Sequence, residues 1–271
     1  MTLTDAAPSL RKPANTNATS TLKLIALFFM IIDHAGKVLM NNQYEWRLLG
    51  RIAFPIYAWC LVVGVCYTHS VPKYARRLLI TGLVSQPLYV IALNHPWPMF
   101  TKPNIFLTLL LGLFALWGMR DKKYGSQFWA PAIALCLATV LHADYDWRGV
   151  LLIILLFAVR DSRPGIAAVM VAYFLFWGSF YSVPKTLFGI EVDLTALPAF
   201  LSDPLSHFLR LETFALLSLP FILIPFSKYT RKLHWFNYIA YPAHLVLLII
   251  LKWIFLGQAP VLPATFGGFF F

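Results

Sequence analysis

Nine long apolar stretches, separated by short breaks rich in charge, proline or polar residues, leave this chain few folds to choose from. They lie at 22–40, 49–69, 78–93, 104–119, 128–142, 149–159, 165–183, 206–226 and 235–256. Most approach the ~20 residues that a helix needs to cross a hydrocarbon core about 30 Å thick. They lack the two-residue alternation of outer-membrane strands. With 59% hydrophobic and only 12% charged residues, a soluble domain could not cover its surface. The expected fold is therefore all-α: a polytopic transmembrane helical bundle of about nine to ten spans. A tenth span can be placed in 194–209 or in the tail beyond 259. No internal repeat or inverted symmetry is visible, unlike in many transporters.

The charges orient the bundle. With a cytoplasmic N-terminus, thirteen Lys and Arg fall inside: Arg11, Lys12, Lys73, Arg76, Arg77, Arg120, Lys122, Lys123, Arg160, Arg163, Lys228, Arg231 and Lys232. Six fall outside: Arg47, Arg51, Lys102, Arg148, Lys185 and Arg210. That alternation follows the positive-inside rule and predicts a multi-pass protein embedded in the lipid bilayer with its N-terminus in the cytoplasm. The net charge of +11 then needs no nucleic-acid partner, because the basic residues form no continuous stripe. Residues 1–20, polar and rich in Thr, Asn, Ala and Pro, read as a flexible cytoplasmic tail; 21–257 as the membrane domain; 258–271 as a periplasmic or interfacial tail. Arg11 and Lys12 before an apolar run resemble a signal peptide, but without a cleavage site the segment is expected to remain as a permanent helix. Cys60, Cys66 and Cys136 have neither metal-ligand nor disulfide spacing, and no metal is expected.

The first run contains Asp33 and His34 within LKLIALFFMIIDHAG. Ionisable groups inside a membrane are costly and mark functional sites by default. Lys23 lies eleven positions before His34; at ~100° per residue the two share one helix face, about 16 Å apart along the axis. A neutral imidazole at this depth can act as a general base, although it can also be a core histidine bonded to a backbone carbonyl. Asp33 points away from His34 and can pair with Lys37, one turn on, or with Arg51 from the next helix. Arg47 and Arg51 share a helix face, and with Glu212, His34 and His244 they can converge on one cavity of the outer half.

Two further groups stand out. Lys23, Lys73, Tyr74, Arg76 and Arg77 form a basic cytoplasmic cluster able to hold phosphates, or an ordinary positive-inside flank. The loop DYDWRG, Asp144 to Gly149, can touch a substrate or close a turn by a salt bridge. Asn104 fits a helix cap. No phosphate loop, HExxH or serine elbow is present. A proton-coupled transporter or flippase using the intramembrane Asp, His and Glu is the alternative from another class.

Taken together, LKLIALFFMIIDHAG, RLLGRIAFPIYAW, KYARRLLITGLVSQP and YPAHLVLL resemble the TraX family, named for the conjugative F-pilin N-acetylase. That family is similar to the wider transmembrane acyltransferases. The resemblance implies an acetyl-CoA-dependent enzyme of a bacterial inner membrane, with a pilin N-terminal amine or a surface-glycan hydroxyl as acceptor. The superfamily's basic residue, ten residues and histidine correspond to Lys23 and His34. The resemblance thus implies His34 as catalytic base, with Asp33 and Arg51 beside it and Arg51 as an oxyanion donor. Lys23, Tyr74, Arg76 and Arg77 would contact the CoA. Arg47, Asp144, Glu212, Tyr241 and His244 are the acceptor-side candidates. A superfamily Arg-x-x-Arg in the third helix is replaced by the adjacent Arg76–Arg77.

Overall fold

The structure is a computed structural model describing residues 13, 19–40, 43–184, 186–194, 197–224 and 236–259. Nearly all of the expected tail 1–20 and most of the tail 258–271 lie outside the described residues. So do Arg11, Lys12, Lys185, Lys228, Arg231 and Lys232 of the charge alternation.

In chain order the helices are α1 (Thr19–Val38), α2 (Tyr44–Gly50), α3 (Ala53–Tyr67), α4 (Val71–Leu93), α5 (Ile105–Asp121), α6 (Ser126–Val140), α7 (Asp146–Ala158), α8 (Arg163–Gly178), α9 (Ala199–Phe208), α10 (Leu219–Leu223) and α11 (Phe236–Leu256). Their ends follow local chemistry. Ser70 caps α4 by accepting the Lys73 N–H, with Pro72 in the first turn, where a missing donor costs nothing. Asn104 caps α5 by accepting the Phe106 N–H, as its position suggests. Asn94 closes α4 in the left-handed region, which Asn tolerates better than most residues.

Two departures from the sequence expectation stand out. The eighth run is not one helix: α9, a 3₁₀ segment over Leu211–Ser218 and α10 follow one another, with a 70° bend between α9 and the remainder. Arg210 is extended at the break, and Pro220 opens α10 without a backbone donor. The chain is also not purely helical. Thr186–Leu187 pairs antiparallel with Ile190–Glu191 around Phe188 and Gly189, both at positive φ, the backbone of a tight hairpin turn.

The core centres on α3, which is apolar all round and buried on almost every face, as Trp59, Leu61 and Val62 illustrate. α1 packs against α2, α3, α4 and α11; α4 also packs on α5 and α11. α5, α6 and α7 make a second, small-residue core around Ala115, Ala134 and Ala138. Among the described residues, two helical segments are long and apolar enough to cross a membrane, Tyr44–Tyr67 and Tyr238–Leu256, with a third if the bent pair counts as one span. α7 has 13 residues, only about 20 Å at 1.5 Å each. The outer surface is heavily apolar: Leu79, Ile80 and Leu83 on α4, Phe128 and Ile133 on α6, and Ile250, Ile254 and Phe255 on α11 all stand exposed.

Candidate active site

Asp33 is the hub of a buried charge cluster. Its Oδ2 lies 2.8 Å from Lys37 Nζ one turn along α1, and its Oδ1 lies 3.4 Å from an Arg51 Nη2. Both partners expected from the sequence are therefore used at once. The second reaches it because Gly50 lacks a side chain: a Cβ there would sit 2.2 Å from Asp33 Cβ. Arg51 follows the end of α2, and its other terminal nitrogen donates to Glu212 Oε1 at 2.9 Å. Glu212 comes from the 3₁₀ segment, so the broken eighth run carries this acid inward; it is 2% exposed.

His34 is the next residue of α1 and faces another way. Its Nδ1 lies 2.8 Å from Nε2 of His244 on α11, with the two ring planes 15° apart and their centroids 5.1 Å apart. Tyr241 meets His244 edge-on, and Tyr89 meets His34 edge-on. Among the described residues, the second ring nitrogen of His34 has no hydrogen-bond partner.

Three cavities adjoin one another through shared wall residues. The first, about 60 Å³, is bounded by Lys23, Tyr74 and Tyr238. The second, about 30 Å³, is bounded by Asp33, His34 and Gly50. Met30, Tyr57, Ile105 and Tyr241 form walls of both. The third is a polar vestibule of about 490 Å³, which shares Lys37, Asp144 and Tyr145 with the second. Arg47, Arg51 and Glu212 line this vestibule, so the five groups expected around one cavity divide between two adjacent places. His244 lines none of the three and touches His34 instead. Tyr241 stands between the two inner cavities and not on the vestibule, because His244 and Tyr241 lie on the α11 face packed against α1 and α4. An apolar groove of about 490 Å³ between α4 and α5, with Leu83 and Phe106 in its wall, holds none of the candidate residues.

The DYDWRG loop carries the ion pair the sequence allows, and its acids face the vestibule. Arg148 lies 3.7 Å from Asp146, while Asp144 accepts from the Tyr89 hydroxyl at 3.2 Å on the vestibule wall. Five cations, Lys37, Arg47, Arg51, Lys102 and Arg148, face three acids there, Asp144, Asp146 and Glu212. His95, in the loop after α4, also faces this space. Burial, reinforced by the Lys102 charge, lowers its pKa to about 4, so it is neutral near pH 7.

At the opposite end, Lys23 and Tyr74 share a wall as expected. Arg77 lies over the Tyr74 ring at 5.8 Å and hydrogen-bonds Tyr238. Arg76 is exposed and apart from this cavity. Residues two apart on a helix point about 200° away from each other, whereas residues three apart nearly align. Of the Arg pair, only Arg77 can therefore follow Tyr74. Sequence inspection missed Tyr57, Tyr89, His95 and Lys102. A tyrosine inside an apolar run was the available signal for the first two; the loop residues carried none.

A profile of the TraX protein family matches residues 18–252. Over 166 residues the chain is 30% identical to a probable fimbrial assembly protein, FimC of serogroup H1, from Dichelobacter nodosus; the match covers 57% of this chain and 66% of that protein. Over 255 residues it is 25% identical to an uncharacterized Rickettsia prowazekii protein, RP591, covering 89% of this chain and 93% of the other. No solved structure matches. With the motifs of α1 to α4 and α11 inside the matched region, the chain belongs to the TraX family.

Proposed function

We propose that this chain is a membrane-embedded acetyltransferase that moves an acetyl group from cytoplasmic acetyl-CoA to an amine or hydroxyl acceptor, with His34 as the base. The acceptor is a pilin N-terminus or a surface glycan; the fimbrial-assembly name of the Dichelobacter relative favours the pilin. The observation that carries the proposal is the run of three cavities from Lys23, past His34, to the polar vestibule. A transferase joining reactants from two sides of a membrane needs such a passage. A histidine placed only to stabilise a core does not. The apolar exterior and the charge alternation support a multi-pass inner-membrane protein with a cytoplasmic N-terminus.

In this mechanism Lys23 and Arg77 hold the phosphates of CoA at the cytoplasmic mouth. The inner cavities are narrow, so only an extended chain ending in the thioester enters them, with flexible Met30 yielding. The acceptor enters through the vestibule. Its nitrogen or oxygen bonds to the acetyl carbonyl carbon as His34 takes its proton. The C–S bond then breaks, and the proton passes from His34 to the departing CoA sulfur. Arg51 is committed to two acids and lines only the vestibule. The hydroxyls of Tyr57 and Tyr241, on the wall of the His34 cavity, are better placed to donate to the developing oxyanion.

The test is acetyl transfer from labelled acetyl-CoA in membranes, combined with the masses of pilins and surface sugars from cells with and without the protein. His34→Ala at normal abundance should abolish the transfer. Transfer that survives this change would remove His34 as the base, and pH-driven solute uptake without any transfer would replace the proposal with a transporter.

A further inference from the structure

The order of protons along the His34–His244 pair follows from the backbone at its far end. Nδ1 of His244 lies 3.3 Å from the carbonyl oxygen of Ala240, one turn earlier on α11. A carbonyl oxygen can only accept, so this nitrogen carries the hydrogen. A neutral imidazole has a single N–H, which leaves a lone pair on Nε2 of His244. That Nε2 faces Nδ1 of His34 at 2.8 Å, so Nδ1 of His34 must be the donor. The lone pair of His34 then falls on its Nε2, the nitrogen with no partner among the described residues. The reverse order would set two lone pairs against each other at Ala240.

We infer that His244 is a positioning residue: it locks His34 in the Nδ1–H tautomer and leaves Nε2 as the basic atom. His244 lines none of the three adjoining cavities, and its Nε2 is occupied by His34, so it does not touch the acceptor. The tautomer assignment stands on geometry alone; its catalytic meaning rests on the acetyl-transfer proposal. In that reaction Nε2 of His34 receives the acceptor proton as the acetyl–acceptor bond forms and the C–S bond to CoA breaks. His244 meanwhile accepts from the Nδ1–H of the imidazolium, spreading its charge until Nε2 returns the proton to the CoA sulfur. The edge-on ring of Tyr241 holds His244 in this orientation.

The full chain, labelled with ¹⁵N-histidine in lipid nanodiscs, tests the assignment by NMR without any ligand. The expected spectrum has His34 protonated at Nδ1 and bare at Nε2, with coupling across the hydrogen bond to His244. His244→Leu should release His34 into the other tautomer. His244→Gln, whose amide oxygen can accept, should keep Nδ1–H. An Nε2–H His34 in the unchanged protein, or a tautomer indifferent to His244→Leu, overturns the inference. For function, His244→Leu should lower kcat for acetyl transfer at least tenfold, a conservative figure for impairing a general base. KM for acetyl-CoA should stay within about twofold, and His244→Gln should recover most of the rate. A raised KM with unchanged kcat, or a Gln variant no better than Leu, overturns the catalytic role. If His34→Ala still transferred acetyl, or the unchanged protein transferred none, the role of His34 as base would fail while the tautomer result stood, so the two failures are separable. A poorly folding Leu variant leaves the unchanged and Gln proteins to decide.

Discussion

Arg51 and Glu212, 161 positions apart, meet at 2.9 Å and close the vestibule side of the Asp33 cluster. Each is under 10% exposed, so each charge depends on the other. Removing one partner of a buried pair costs about 3–5 kcal/mol, whereas apolar replacement of both is often neutral. Glu212→Gln should therefore lower the thermal midpoint in detergent markedly. The double change Arg51→Met/Glu212→Leu should recover much of the loss, since Asp33 keeps Lys37 at 2.8 Å. A Glu212→Gln protein as stable as the original would contradict this.

Gly50 is required by Asp33. The 2.2 Å approach a Cβ would make leaves no room for alanine without moving α2 off α1. Gly50→Ala should cost about 1–3 kcal/mol through overpacking. Thermal unfolding beside an alanine change at an exposed α2 position would measure it.

Ile105 is a wall shared by the two inner cavities. Ile105→Trp should plug the passage between Lys23 and His34. Acetyl transfer should then fall more than tenfold while the melting midpoint moves little. Full activity with a folded Trp variant would mean that the thioester travels another way.

The Lys23 cavity separates neighbouring cations. Lys23→Ala should raise KM for acetyl-CoA roughly tenfold or more, in line with loss of a charged hydrogen bond worth about 1.5–3 kcal/mol. Arg76→Ala, on the far side of α4, should change it less than twofold. Equal effects would place the CoA phosphates outside the Lys23 cavity.

His95 gives a pH dependence of defined sign. In the unfolded chain it takes up a proton near its ordinary value of 6.5; in the fold, burial and Lys102 delay this to about 4. The unfolded state therefore binds more protons between these values. The stability contributed by neutral His95 is fully present above about 6.5 and is lost as pH falls toward 4. His95→Gln should flatten the fall in melting midpoint over that window. An unchanged slope would assign acid sensitivity to other groups.

Much of this was local and therefore legible. Apolar runs marked the helices because a continuous apolar stretch satisfies its own backbone only when coiled. The Asp33–Lys37 pair and the common face of Lys23 and His34 follow from 3.6 residues per turn, and the Asn104 cap from a side-chain oxygen beside an unpaired N–H at a helix start. The eighth run misled because composition carries no record of a bend. Its apolar residues read the same whether Arg210 is helical or extended.

What the sequence by itself determined is a helical chain with ionisable groups inside its apolar runs and their register along each helix. What only the tertiary structure decided is which of those groups meet. His34 finds His244 across 210 positions, Arg51 finds Glu212, and Arg77 rather than Arg76 turns toward Tyr74. Periodicity specifies which way a side chain leaves its own helix, but the neighbour it reaches depends on the lateral order and tilt of the helices. Those are set by packing among many side chains at once, a property that no local stretch of sequence contains.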